Sequence, residues 1–372
     1  MSNEDVLDIK QNNYRNIYQL FFQHGPLSKP QIVKLLDLSL PTVTNNITLL
    51  EQEGKIKENG LCQSQGGRPA IAYHLVEDAF ISIGVEIQQR KIRCLAVNLQ
   101  GNTITHSSTK LAYKDNLNYV QNLCQIVNQF IEQLHYQKSQ ILGIGFSIQG
   151  ITDKQGHAII YGKLLSCDAL NLDNIQPYFS YPLKLLHDVK CAALAELHSS
   201  KKIDNAIYVS ISEHLGGAII LNNQIDLGKQ GYSGALEHLQ IHPNGHQCYC
   251  GQTGCLETYC SLSALLLPDE TIQQFFDLLR KQDPQVLQRW ETFLQNLALG
   301  LNAVYLLLER DIILGGEIAL YLEQQDLSLL QQKIRQKATF PIEGDFIRIA
   351  SQRQYPSAVG AALPFIIDFL NN

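Results

Sequence analysis

The chain has 372 residues, 45% of them hydrophobic and 17% charged, with a net charge of −6. That length exceeds one simple core and predicts two or three domains, while the acidic balance excludes a globally basic nucleic-acid binder, so any DNA contact must be local. Nine cysteines, an odd number in a chain without a basic-then-apolar leader, favour a reducing cytoplasm over a disulfide framework. The longest apolar stretch, 297–308, is broken by Asn302 and ends at Glu309 and Arg310, too short for a membrane span.

Between Asn12 and Gln23, Ile17, Leu20 and Phe21 recur at helical spacing until Gly25-Pro26 stops the pattern. Ser28 caps a second short helix carrying Ile32, Val33, Leu35 and Leu36. A break at 37–39 follows, and a third helix opens with Pro41 and runs to about Glu53. Segments 54–58 and 71–75 read as two strands around the tip Gly66-Gly67-Arg68-Pro69, so residues 1–77 predict a winged helix-turn-helix.

The third helix carries Thr42, Thr44, Asn45, Asn46 and Thr48 among its apolar positions. Asn bonds adenine bidentately and Thr offers a hydroxyl and a methyl, so this helix suits a major groove. Ser28 and the wing's Arg68 complete the candidate DNA contacts, Arg68 fitting a narrow minor groove. Seven Lys or Arg against seven Asp or Glu over residues 1–76 leave a protein-binding module as the alternative.

From Phe80 onward, 81–87, 92–98, 103–109 and 141–148 read as strands and 115–137 as an amphipathic helix. A second half begins near Asp188, with strands about 205–211 and 217–222, a long helix near 290–308, and Ile312-Ile313-Leu314 running into Gly315-Gly316. The pattern resembles an actin-like ATPase. The expected class is α/β: the winged helix-turn-helix, then a body of two lobes (78–187 and 188–356), with a terminal helix at about 357–372 packing back on the first. A ligand cleft belongs between the lobes. His187-Asp188 opens a helix there, where an Asp is also a good cap.

His238 followed by Cys248, Cys250 and Cys255 forms the most specific chemical signal. One imidazole and three thiolates make a closed tetrahedral shell for a structural zinc, and Gly251 and Gly254 allow the loop to fold tightly around it.

The run from His238 through Cys248-x-Cys-Gly-x-x-Gly-Cys-x-Glu257 resembles the signature of the ROK family of repressors, open reading frames and sugar kinases. The likeness extends along most of the chain, toward the glucose-, N-acetylglucosamine- and xylose-responsive repressors. It implies that Glu257 and His238 touch a sugar, and that Asp188, beside His187, matches the kinases' general base. It also implies two phosphate loops, both altered here. Gln88, Gln89 and Arg90 replace Gly-Gly-Thr, and 212–218 keeps two glycines while placing Glu213 where phosphate oxygens should lie. Ala235 stands at a sugar-contacting glutamate position, leaving Glu237 as a candidate substitute.

The expected function is thus a sugar-responsive DNA-binding regulator without kinase activity, most simply a repressor of carbohydrate uptake or catabolism genes. It would bind operator DNA and a monosaccharide or sugar phosphate as a homodimer or homotetramer. The alternatives are an ATP-dependent sugar kinase with an appended module and a sugar sensor with a protein-binding first domain.

Overall fold

The computed structural model describes residues 3–61, 69–165, 167–200 and 203–371. Helix α1 spans Asn3–His24, α2 Lys29–Leu36 and α3 Leu40–Gln52, followed by antiparallel β1 (Ile56–Leu61) and β2 (Ile71–Leu75). The first helix thus starts nine residues before the apolar periodicity does. Leu27 bridges Tyr73 and ties the helices to the β-ribbon. Val43, Ile47 and Leu50 point inward at helical spacing and are fully buried with Ile17, Phe21 and Ile32.

The body repeats one sheet topology twice. In the first lobe, β3 (Ile81–Ile87), β4 (Lys91–Asn98), β5 (Thr103–Lys110), β6 (Ile141–Ile148) and β9 (Leu183–His187) pair in the order β5-β4-β3-β6-β9. Helix α4 (Leu117–Glu132), the small ribbon β7 (Ile151–Thr152) and β8 (Ile159–Tyr161), and α5 (Leu172–Ile175) complete that lobe. After α6 (Asp188–Ser199), β10 (Ala206–Ile211), β11 (Leu215–Leu221), β12 (Gln224–Asp226), β13 (Ile312–Gly315) and β14 (Ile347–Ile349) pair as β12-β11-β10-β13-β14. Each sheet has three antiparallel strands extended by two parallel ones. Helices α7 (Glu257–Cys260), α8 (Leu262–Leu265), α9 (Ile272–Arg280), α10 (Pro284–Leu308) and α11 (Gln324–Lys337) cover the second sheet.

The terminal helix α12 (Pro356–Asn371) crosses behind β3 and β6 and lies along α6. The approach is close enough to need glycine: a Cβ on Gly360 would stand 1.7 Å from the Cys191 carbonyl oxygen, and one on Gly84 1.8 Å from that of Ala358. One apolar core joins Ile17, Tyr18 and Phe21 of the winged unit to Leu95 of the first lobe and to Leu363 and Ile366 of α12. The first module therefore shares its interior with the body. Among the described residues, no helix is long and apolar enough to cross a membrane.

Candidate functional site

The end of β3, the start of α6, the β10–β11 loop and the turn at 236–238 converge on a cavity of about 120 Å³ lined by Glu86, Asp188, His214, Glu237 and His238. Asp188 begins α6 and accepts a hydrogen bond from the Val189 N–H at 2.8 Å. Burial raises its pKa to about 7, the Glu86 charge adding to the effect and the Val189 N–H opposing it. Its neighbour His187 is driven down to about 3 by burial and by Lys190. Glu237 is pushed up to about 8, chiefly by burial and then by Glu257 and Asp188. Glu257 is anchored on both sides: Oε1 accepts from His214 Nδ1 and Oε2 from the Leu215 N–H, each at 2.7 Å. Burial disfavours a charged His214, but contact with Glu257 outweighs it and raises the pKa.

One wall of this cavity is also the wall of a cluster of candidate metal ligands. The ligand atoms of His238, Cys248, Cys250 and Cys255 all lie within 4.8 Å of one another. Nδ1 of His238 is 3.8 Å from Sγ of Cys248, and Sγ of Cys250 is 3.7 Å from Sγ of Cys255. A tetrahedral zinc with Zn–S bonds of about 2.3 Å sets its sulfurs about 3.8 Å apart, so the donor set is compatible with zinc. Gly254, at φ +75°, lets the loop close: a Cβ there would fall 1.5 Å from the His242 carbonyl oxygen. Burial pushes the Cys248 thiol up to about 12 and raises that of Cys255, an effect a bound cation would reverse. His238 turns its Nδ1 to the sulfurs and its Nε2 toward Glu237, 4.0 Å from Oε1. A single imidazole thus borders both the cluster and the cavity.

The sequence profile of the ROK family matches residues 82–366, the whole two-lobed body with its cluster and cleft. The chain belongs to the ROK family. Among curated ROK relatives, the xylose repressor of Bacillus subtilis is 26% identical over 81% of this chain and 81% of its own length. The DNA-binding transcriptional dual regulator NagC of Escherichia coli is 28% identical over 69% of this chain and 64% of its own. Among solved structures, a ROK transcriptional regulator described as a homolog of the E. coli MLC protein covers 98% of each chain, with 22% identity and a TM-score of 0.76. A ROK glucokinase from Streptomyces griseus, solved with glucose and AMPPNP, covers 76% of this chain and 98% of its own, with 21% identity and a TM-score of 0.66. The likeness to the regulator thus extends through the winged helix-turn-helix as well as the actin-like body.

Where ROK kinases carry phosphate loops, this chain carries packed side chains. Gln88 lines the cleft and donates to Glu86 Oε1 at 3.0 Å. Glu86 is paired with Arg93, whose guanidinium lies 4.3 Å over the Tyr355 ring. In the second loop the expectation for Glu213 is corrected. Its side chain is exposed, and His214, turned inward by the start of β11, lines the cleft instead. Ser212 Oγ accepts from the Glu317 N–H at 3.0 Å, committing the loop to the turn after β13. Gly315 and Gly316 have a packing explanation: Cβ atoms there would meet the Tyr208 hydroxyl at 2.0 Å and the Ile211 backbone at 2.5 Å. Sequence reasoning did not single out Glu86 or His214, because each gains its role from a partner distant in the chain.

The DNA-reading candidates divide. Asn45 and Thr48 are exposed on α3, with Thr42 and Thr44 half-buried beside them. Asn46 is buried and donates to the Thr42 carbonyl at 2.8 Å. It falls on the inward stripe of Val43, Ile47 and Leu50, so its place as a base contact is corrected to an internal one. Ser28 is also buried, its hydroxyl donating to Gln31 Oε1 at 2.8 Å, which makes it a cap rather than an exposed contact. Arg68 lies outside the described residues.

Proposed function

We propose that this chain is a sugar-responsive transcriptional regulator that binds operator DNA through α3 and its wing, acts in the cytoplasm and has no kinase activity. The observation that carries the reading is the union, through one apolar core, of a winged helix-turn-helix with a kinase-like body whose phosphate loops are filled by Gln88 and by the His214–Glu257 pair. Phosphoryl transfer rests on positioning and charge stabilisation by those loops, and side chains at 88 and 89 bar the close backbone approach that glycine permits. The names of the xylose repressor and NagC support the same reading and favour repression of carbohydrate genes.

In this reading His238, Cys248, Cys250 and Cys255 hold one structural zinc. The ion fixes the loop that ends at Glu257 and the imidazole that faces the cleft, lowering the entropy lost when a small sugar enters beside Asp188 and His187. A homodimer or homotetramer would present two reading helices to a palindromic operator. A sugar releases DNA only by binding the non-competent arrangement more tightly.

The test is selection of DNA fragments by purified zinc-replete protein, with and without a panel of sugars and sugar phosphates. We expect a palindrome to be enriched and one sugar to abolish the enrichment. Asn45→Ala should weaken binding to that palindrome about tenfold without unfolding the body. Failure to enrich any fragment under all conditions would favour the protein-binding alternative, and ATP-dependent phosphorylation of a sugar would restore the kinase reading.

A further inference from the structure

A second cavity, of about 240 Å³, adjoins the first, and we infer that it is a phosphate site, taking free phosphate or a small phosphate ester where the two lobes meet. The loop 152–156 and β9 contribute to it from the first lobe, α6 and the segment 225–231 from the second, and α12 adds Gly360 and Pro364. His187 lines both cavities. Their charges are opposite in sign. Among the described lining residues, Glu86, Asp188 and Glu237 of the first cavity face one lysine, Lys163, whereas Lys154, Lys184 and Lys190 of the second face one carboxylate, Asp153.

Lys190 is the anchor of this second site. The residue is 9% exposed, and its ammonium donates to the carbonyl of Gly231, which also lines the cavity. An ammonium carries three N–H groups, and the other two have no protein acceptor among the described residues. Burial lowers the pKa of Lys190, against Asp226 and Glu237, which favour its charge. The carboxylates nearby are committed to their own loops. Asp153 accepts from the His157 N–H at 2.8 Å and the Ala158 N–H at 3.2 Å, and Asp226 from the Gly228 N–H at 3.1 Å and the Ser233 hydroxyl. A buried charge without a counter-charge is costly, and an entering anion removes that cost.

Lys154 is exposed and has no ion pair among the described residues. Lys184 meets Asp368 at 3.0 Å, but the Asp368 side chain is 59% exposed, and a surface pair of this kind is weak beside a dianion. Lysine binds phosphate as a point charge, and here the three charges come from separate elements: the loop after β7, β9 and α6. A phosphate taken up by Lys154 and Lys184 of the first lobe and Lys190 of the second ties the lobes together. Leu186, Leu194 and Ile225 line the same cavity and give the carbon skeleton of an ester an apolar wall.

The experiment is calorimetric titration of the full-length, zinc-loaded protein at constant ionic strength with inorganic phosphate, glycerol 3-phosphate and glucose 6-phosphate. We expect phosphate binding that Lys190→Met weakens about tenfold or more and Lys154→Gln about threefold. Lys163→Gln, in the first cavity, should leave it unchanged. Circular dichroism reports whether each variant folds, and the surface variant Lys154→Gln decides the matter if Lys190→Met does not. An ester that binds more tightly than inorganic phosphate supports the site and identifies the ester as its ligand; an ester that binds no more tightly supports the site and identifies the free ion. Failure of all three compounds to bind, affinity untouched by the Lys190 and Lys154 substitutions, or affinity lost in Lys163→Gln overturns the inference, and each of these leaves the regulator reading standing.

Discussion

Asp188 and His187 are adjacent, half-buried and displaced in opposite directions, and this makes the pH response of the cleft calculable in sign. The Asp188 carboxyl titrates at about 7 instead of 3.8. Between those values the folded chain keeps a proton that the unfolded chain has released, so stability falls as pH rises through that window. His187 titrates at about 3 instead of 6.5. There the unfolded chain holds the extra proton, and stability rises with pH over that window. The two contributions oppose each other between about pH 4 and 6.5. Asp188→Asn removes only the falling one, so we expect parent and variant to be equally stable near pH 4, and the variant to be more stable above pH 7 by on the order of 1–4 kcal/mol. Denaturant titrations of both proteins from pH 4 to 8 give the difference directly; a pH-independent difference, or a parent more stable at pH 8, contradicts it. Residue by residue, the chemistry was only partly legible. The four metal-ligand candidates are defined by spacing, but the inward turn of Glu237 depends on the backbone of a three-residue helix, and Glu213 and His214 differ by one position in which face they present. Asn46 could have been recognised, since it lies three residues after Val43 and four before Leu50.

At the scale of elements, the loop carrying Cys248, Cys250 and Cys255 has little apolar interior of its own. Its backbone is closed by bonds such as Cys248 N–H to the Gln252 carbonyl at 2.8 Å and by the Gln247–Thr253 and Gln240–Cys255 bridges. With three thiols and an imidazole brought together, removal of a metal leaves the loop without its main cross-link. We expect one zinc per chain by elemental analysis, and Cys250→Ser to cost on the order of several kcal/mol in the second lobe together with loss of sugar binding. A full-length protein that carries no zinc, or a variant of unchanged melting temperature, would refute this. The strands of both lobes were readable because burial on both faces writes apolar runs into β3, β6, β10 and β13. The ribbon of β7 and β8, two and three residues long, is too short to leave a period. The early start of α1 escaped because the residues before Asn12 do not continue the stripe of Ile17, Leu20 and Phe21.

For the whole molecule, α12 links the cleft to the DNA-reading unit. Its first half lies along α6, whose first residue is Asp188. Its last turns meet the winged unit, where Phe369 packs edge-on against Tyr18 at 6.3 Å and Gln19 bonds the Leu370 carbonyl, and Phe369 also lies tilted against Phe80, at the start of the body, at 4.8 Å. Phe369→Ala should loosen this junction, at a cost of up to about 3 kcal/mol. Calorimetry should then resolve a separate early transition for residues 3–75, where the parent melts as one unit. The sugar-dependent change in operator affinity should shrink as well; a single unshifted transition would show that the junction is not coupled in this way.

The shared core also limits how such regulators can be recombined. A sensor assembled by grafting residues 1–77 onto a different ligand-binding body would leave Ile17, Tyr18 and Phe21 without the surface that covers them, because that surface belongs to β4 and α12. The portable unit is discontinuous in sequence: the reading head must travel with the terminal helix and with the face of the first sheet on which that helix rests.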